Sequence, residues 1–593
     1  MDDVRVTEIT TGAANGAVAS EAALASLAEL ARDHAVPPGL LEQIAAAVAQ
    51  IEGRLGPAAT QAAFVRGLIR DRQKHEAGRG GAVATSSPDA ASVGARVLAG
   101  GGNAIDAACT AALALTVTDP ANAGIAGRCH IVIRPRRGSP VVIDAATQAP
   151  AVLDGPGKAG EITSVPIPGM LAGIEMAAAA GASRRWAQLV EPAAALAEEG
   201  FIVPSGLAAV WAVNRDRLAR HPRTARTFLR PDGAAYTAGD RFQQPALAAV
   251  LRRVASGGPR ALYEGEIAHD IAAQMSEEGG AVRAADLAAY TARRGESVEG
   301  RFGPYSFTVP GRQAWGHSLV EMLQVADLFE FSKTACTPEE AETLALTILV
   351  AFGDRPERLG SLDPKPNGLP HDILADAAFA ADRAQHVERL ARGRDGARDA
   401  EVARLVAGTA HAPQGDTTHL SVIDRDGAAV SLTCSLGPHF GSTVTAGRHG
   451  FLYAHSYRMI ARPAPDVRDV TEMCPSVFVL NGRPVLATGG AGSERIPCAV
   501  MLTAVNLLVR GWPALDAVAA PRFAWTDARL RVHCDLGASV RDHLARRGLP
   551  LQLIGRGYVN HAGVAHLVAA DTEGVCEAVA DPAYDGIGAA VQA

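Results

Sequence analysis

The texture of the chain changes at Thr417, and that change limits its architecture more than any other feature. The stretch from Thr334 to Gln414 is charged and helical in period, broken only by DPKPNGLP (Asp363–Pro370). After Thr417 come short β-branched runs in close succession: HLSVID, AVSLTC, SVFVLN and RPVLATGG. Asp424 to Gly427 reads as a turn, so Thr417–Ile423 and Ala429–Cys434 are expected to pair as adjacent strands. A helix-rich block followed by a strand-rich one fits layered packing of α and β elements.

Upstream, alanine and leucine recur at helical spacing through Ala19–Ala35, and Pro37-Pro38 punctuates the run. Leu40–Leu55 and Thr60–Arg72 read as two more helices, and the glycines of Gly78–Gly81 read as a linker. Beyond Gly81, alanine-rich helices alternate with strands. His130–Pro135 and Pro140–Ala145 suit a strand pair around Gly138-Ser139, and helices are expected at Trp186–Glu199, Ala246–Ala255 and Ser318–Phe331. At 593 residues the chain exceeds one ordinary core.

Hydrophobic residues at 48% and charged ones at 20% are those of a soluble globular protein. The net charge of −7 leaves no basic footprint for nucleic acid. Eight scattered cysteines, without a CxxC pair or metal-like spacing to histidine, read as buried free thiols. No metal or cofactor is expected. The opening Met1-Asp2-Asp3 carries no basic, apolar leader, and no apolar run spans a bilayer. The expectation is a cytoplasmic protein without a membrane partner.

Thr-Thr-His at 417–419 is ordinary strand chemistry by itself. His419 points into the strand, which favours a structural or processing role over general-base work. The glycines of AGGGNAID (Ala99–Asp106) match neither GxGxxG nor a P-loop and read as a turn between helices.

Ordered motifs add more. GAVATSSPDAASVGARVLAGGGNAIDAACTAALALTVTDPANAGIAG (Gly81–Gly127), WAQLVEPAAALAEEGFIV (Trp186–Val203) and ALYEGEIAHDIAAQM (Ala261–Met275) come first. DLAAYTARRGESVEGRF (Asp286–Phe302), AFGDRPERLGSLD (Ala351–Asp363), TGGAGSERI (Thr488–Ile496) and ADPAYDGIGAA (Ala580–Ala590) follow. In this order they resemble gamma-glutamyltranspeptidases, with only the first 80 or so residues outside the likeness. The resemblance implies a four-layer αββα N-terminal-nucleophile fold, made as a precursor. It implies an extension at 1–80, a large-subunit region at 81–416, a small-subunit region at 417–593, and a cut between Asp416 and Thr417. The two fragments would stay associated.

By that resemblance Thr417 is the nucleophile, Ser435 its supporting hydroxyl, and the amides of Gly492 and Ser493 the oxyanion donors. A threonine hydroxyl needs a base, and the freed α-amine supplies one. Its ordinary pKa near 7.7–8.0 leaves about a tenth to a fifth as free base at pH 7.

The substrate pocket departs from the family. The arginine expected for the glutamyl α-carboxylate falls at Ala146, in DAATQAP (Asp144–Pro150), and the acid expected for the α-ammonium falls near Met459. The paired serines become Thr471 and Glu472, an asparagine becomes Gly437, and Arg128 is introduced in GIAGRCHIVI. Arg128 is either a new carboxylate ligand or a surface arginine in a salt bridge. The expected activity is hydrolysis or transfer of a small-molecule amide with a non-glutamyl acyl group, such as an oxamate-like acid amide. Gamma-glutamyl hydrolysis or transfer is the alternative, and an inactive binding or scaffold protein the alternative of another class.

Overall fold

A computed structural model describes every residue except 1–5, 7–8, 10–16, 34–35, 70–72, 154, 358–364, 366–367, 411–414, 462, 560 and 593. Met1-Asp2-Asp3, half of the Asp363–Pro370 break and Gln414 lie outside the described residues.

Two seven-stranded antiparallel sheets stack face to face. One runs in the order Ile587–Ala590, Gly81–Thr85, Asp416–Asp424, Ala429–Gly437, Arg128–Arg134, Val141–Ala145, Arg293–Arg294. The other runs His75–Gly78, Cys576–Val579, Val564–Ala570, Arg483–Ala491, Ser476–Leu480, Tyr305–Pro310, Ser297–Phe302. Small and β-branched side chains meet between them, among them Ala82, Ala84, Val132, Ile423, Val477 and Ala487. The sheets approach so closely that a Cβ on Gly489 would lie 2.4 Å from the His419 ring.

Helices cover both outer faces, which completes the αββα layering. Ala104–Thr118 is buried along its whole length because it is apolar on every side. Its start is fixed by a capping box in which Asn103 and Asp106 exchange backbone bonds of 2.9 Å. AGGGNAID is thus a turn between the helices Pro88–Ala99 and Ala104–Thr118, as its spacing indicates. Gly316–Ala326 and Ile496–Ala504 cover the second sheet, and Pro338–Asp354 packs outside Gly316–Ala326.

The paired strands on either side of Asp424–Gly427 form as expected, from Thr418 opposite Cys434 to Ile423 opposite Ala429. Arg128–Arg134 and Val141–Ala145 pair likewise. All eight cysteines are free, and only Cys336 is more than marginally exposed. Among the described residues no helix is long and apolar enough to cross a membrane.

The linker expectation is overturned. His75–Gly78 is the edge strand of the second sheet, paired to Cys576–Val579, and Gly81 opens a strand of the first. Glycine is needed there for close approach: a Cβ on Gly78 would meet the Val591 carbonyl at 2.3 Å. The helices Ala17–Arg32, Pro38–Leu55 and Pro57–Ile69 form a small core with Leu24, Ile44 and Phe64 at its centre, closed by Cys534 of the body. Lys74 completes the docking. Its buried ammonium donates to the carbonyls of Tyr584 and Gly586.

Lys74→Met strips both carbonyls of this donor in a buried setting, where each lost partner costs about 1–3 kcal/mol. Urea unfolding of the variant is expected to show a loss of about 2–4 kcal/mol, whereas Lys333→Met on the surface changes little.

Candidate active site

Thr417 lies at a register shift. Asp416 pairs with Gly437 and Thr418 with Cys434, so Ser435 and Leu436 together stand opposite Thr417 and the extra residue bulges from the Ala429–Gly437 strand. The Thr417 hydroxyl oxygen accepts from the Gly492 N–H at 3.1 Å. In the uncut chain the Asp416 carbonyl accepts from Ser435 Oγ at 2.7 Å. Gly437 N–H donates to that same Oγ at 2.8 Å, which directs the Ser435 proton toward the Asp416 carbonyl.

Gly492 and Ser493 make the turn from strand Arg483–Ala491 into helix Ile496–Ala504. Both have positive φ, 119° and 55°. Gly492 suits this conformation, whereas Ser493 is held there against its preference. Arg495 holds the turn: its Nε donates to the Gly492 carbonyl at 2.7 Å and its Nη1 to the His561 carbonyl at 3.1 Å. A Cβ on Gly492 would meet His561 Cε1 at 2.7 Å.

The Asp416 side chain is buried between two histidines that sequence reasoning missed. Its Oδ2 is 3.4 Å from His439 Nε2 and 3.5 Å from His561 Nε2, while Oδ1 accepts the Thr417 N–H at 2.9 Å. Burial raises the Asp416 pKa, but the His561 hydrogen bond and nearby positive charge outweigh it and hold the carboxyl at about 2. Burial pushes His561 down to about 4. Its Nδ1 accepts from Gly563 N–H at 3.1 Å, so the single proton sits on Nε2 and points at Asp416. No local pattern marks 439 or 561; the fold alone brings them to Asp416.

His419 lies between the sheets, with Nδ1 2.8 Å from Thr433 Oγ1 and Nε2 2.9 Å from Ser421 Oγ. Burial drives its pKa well below the ordinary histidine range, as its inward reading implies.

Arg128 is neither reading offered for it. It is 3% exposed, and its Nη1 is 2.9 Å from the buried Asp469. It also donates to Thr147 Oγ1 at 3.2 Å and to the His455 carbonyl at 3.0 Å. Thr147 and Ser456 hydroxyls complete the shell of Asp469 at 2.5 and 2.8 Å. Sheet register places Arg128 opposite Ser435, so the cation stands beside the site with its charge already matched. Gly437 is where it finds room: a Cβ there would lie 2.9 Å from Arg128 Nη2, and its φ is 103°.

Ala146 is fully buried at the end of its strand, with its carbonyl accepting from the Tyr290 hydroxyl at 2.6 Å. Met459 is buried in the short helix Tyr457–Ala461. Thr471 Oγ1 accepts from Met473 N–H at 3.4 Å. Glu472 is half-buried, and desolvation with the neighbouring Glu494 charge raises its pKa to about 7 against the pull of Arg128 and Arg355. None of Ala146, Met459 and Thr471 supplies a charge for a zwitterion.

Among the described residues, Glu296, His317 and Asp372 come near enough to share an ion. Arg312 already pairs with both carboxylates, which takes them up in an ion-pair network.

If Arg128 occupies the volume beside Gly437, Gly437→Ala must push it aside and adopt a costly φ. Measured in the Thr417→Ala background, this substitution is expected to lower unfolding stability by about 1–3 kcal/mol.

The sequence profile described as Gamma-glutamyltranspeptidase matches residues 90–591. The chain is 30% identical over 486 residues to the glutathione hydrolase proenzyme of Escherichia coli K12, covering 76% of this chain and 82% of that one. It is 31% identical over 483 residues to the acylase ACY 1 proenzyme of Pseudomonas sp. SE83, covering 77% and 84%. The cephalosporin acylase of Bacillus halodurans has the same fold, with a TM-score of 0.75 and 24% identity over 88% of this chain and 98% of that one. The chain belongs to the gamma-glutamyltranspeptidase family of N-terminal-nucleophile amide hydrolases and transferases.

Proposed function

We propose that the chain cuts itself between Asp416 and Thr417, and that the freed Thr417 then hydrolyses or transfers a small-molecule amide with a non-glutamyl acyl group. The observation carrying the first step is the uncut geometry. The attacking oxygen has its donor in Gly492, and the scissile carbonyl has its donor in Ser435. Thr417 Oγ adds to the Asp416 carbonyl carbon, the C–N bond breaks, and the hydroxyl proton ends on the departing amine. Water opens the resulting ester, leaving fragments 1–416 and 417–593. Both curated relatives named above are proenzymes.

In the mature enzyme the Thr417 α-amine takes the hydroxyl proton, and Thr417 Oγ attacks the substrate carbonyl. Gly492 and Ser493 N–H groups steady the oxyanion, which removal of a single donor shows to be worth about 2.7–4 kcal/mol in a comparable site. Ser435 keeps the Thr417 hydroxyl aligned. The acyl pocket is bounded by Arg128, Gly437, Met459, Thr471 and Glu472, with Ala146 behind it.

Substrate choice follows from charge. A gamma-glutamyl group brings an α-carboxylate and an α-ammonium, each needing a charged partner at about 1.5–3 kcal/mol. Arg128 is spent on Asp469, and Ala146 and Met459 are neutral. A small acid amide of the oxamate type, without the ammonium, is the better match. Gamma-glutamyl hydrolysis is the second reading, favoured by the likeness to the Escherichia coli glutathione hydrolase.

Purified chain is expected to mature without a protease, its smaller fragment beginning at Thr417 on N-terminal sequencing. Thr417→Ala should stay whole, and Thr417→Ser should still cut. Cleavage elsewhere overturns the mechanism. On mature protein, gamma-glutamyl-p-nitroanilide turnover at ordinary enzyme rates with a low-millimolar KM would restore the glutamyl reading.

Glu472 yields a pH prediction. Its raised pKa leaves it neutral below about pH 7 and anionic above, so an anionic acyl group is repelled only at the higher pH. KM for such a substrate should climb as pH passes 7, and Glu472→Gln should flatten the climb. The α-amine titration remains in both enzymes and moves kcat.

A further inference from the structure

The cut separates Asp416 from its two histidines. Asp416 ends the fragment 1–416, whereas His439 and His561 remain with Thr417 in the fragment 417–593. His561 Nε2 is hydrogen-bonded to Asp416 Oδ2 at 3.5 Å, and His439 Nε2 lies 3.4 Å from the same oxygen.

Each ring is held from behind. Gly563 N–H occupies His561 Nδ1, and the ring stacks edge-on against Tyr584 with centroids 5.7 Å apart. Nδ1 of His439 lies 2.9 Å from Asn122 Oδ1. The Asn122 amide is oriented by its own donation to Asp119 Oδ1 at 3.0 Å and to the Tyr558 hydroxyl at 3.3 Å. His439 therefore gives its Nδ1 proton to Asn122; burial lowers its pKa, and the neighbouring carboxylate is what draws a second proton to Nε2. Arg217 and Arg495 donate to the backbone carbonyls of His439 and His561, adding positive potential around the pair.

Hydrolysis of the ester gives Asp416 a second carboxylate in this dry cleft, facing Asp119. Two like charges on one buried residue favour its departure toward water. The histidines, anchored independently of Asp416, keep their aim.

We propose that His439 and His561 form a carboxylate subsite that the Asp416 side chain fills before cleavage and the acyl group of the substrate fills afterwards. The substrate class is a monoamide of a small dicarboxylic acid. Its carboxylate stands from the amide carbonyl as the Asp416 carboxylate stands from its own, which is the spacing of a succinyl group. The inference rests on the Thr417 reading above, and it gives the histidines the anion-binding task that Arg128 cannot perform.

The test has two arms. In the first, mature enzyme is offered succinyl-p-nitroanilide and butyryl-p-nitroanilide, which differ by the carboxylate. The succinyl compound is expected to be preferred about tenfold or more in kcat/KM, one charge-assisted bond being worth about that factor. His439→Asn and His561→Asn should each raise its KM about tenfold and bring the kcat/KM ratio of the succinyl to the butyryl compound toward one. Equal turnover of the two anilides, or a preference unmoved by either variant, overturns the proposal.

The second arm needs neither cleavage nor turnover. The full chain with Thr417→Ala and Asp416→Gly stays whole with the histidine pair unfilled, and calorimetric titration with succinate reads the subsite directly. Succinate should bind, at least tenfold more weakly once His561→Asn is added or when Thr417→Ala alone leaves Asp416 in place. Absence of binding, or binding indifferent to Asp416, overturns the subsite. Failure of the wild-type chain to cut itself counts against the Thr417 reading and leaves this titration to decide.

Discussion

The bulged pairing of Asp416–Asp424 with Ala429–Gly437 is the constraint on which the site depends. A ladder continued in register from Thr418 and Cys434 would set Thr417 directly opposite Ser435 and Asp416 opposite Leu436. The extra residue between Cys434 and Gly437 instead brings Gly437 opposite Asp416, and there the Thr417 hydroxyl meets Gly492 while the preceding carbonyl meets Ser435. The neighbouring strand then sets Arg128 opposite Ser435 by register alone. One irregularity in one strand pair thus aligns the Thr417 hydroxyl, the Asp416 carbonyl and Arg128.

Arg128 and Asp469 illustrate how a buried cation can stand at a site without serving a ligand. The guanidinium is neutralised by Asp469, and its remaining donors go to Thr147 and the His455 carbonyl. Releasing it to a substrate carboxylate would strand Asp469 in a dry setting, which costs several kcal/mol. The space beside Gly437 is what lets the arginine lie there. The two positions form one arrangement.

The N-terminal helices belong to the same mechanical chain. Lys74 holds Tyr584 and Gly586, Tyr584 packs on His561, and His561 faces Asp416. The extension therefore buttresses the loop behind the scissile residue from outside the layered body.

Much was legible beforehand, because local rules govern it. The turn at Asp424–Gly427, the strands on either side, the turn between helices at Ala99–Asp106 and the inward His419 each depend on residues close in sequence. The order of family motifs carried the layered fold and the place of Thr417. Local reading failed where the partner is remote. Gly78–Gly81 looked like a linker because its glycines are common in flexible joints, yet they are required by the close approach of Val591. Arg128 read as either ligand or surface charge because nothing near it in the chain announces Asp469. His439 and His561 carry no pattern at all. The sequence by itself determined many of the elements and their order, through periodicity and turn chemistry acting over a few residues. Tertiary structure alone decided which charges are spent on one another and which side chains converge on Asp416, because burial and pairing are settled only when distant strands come into register.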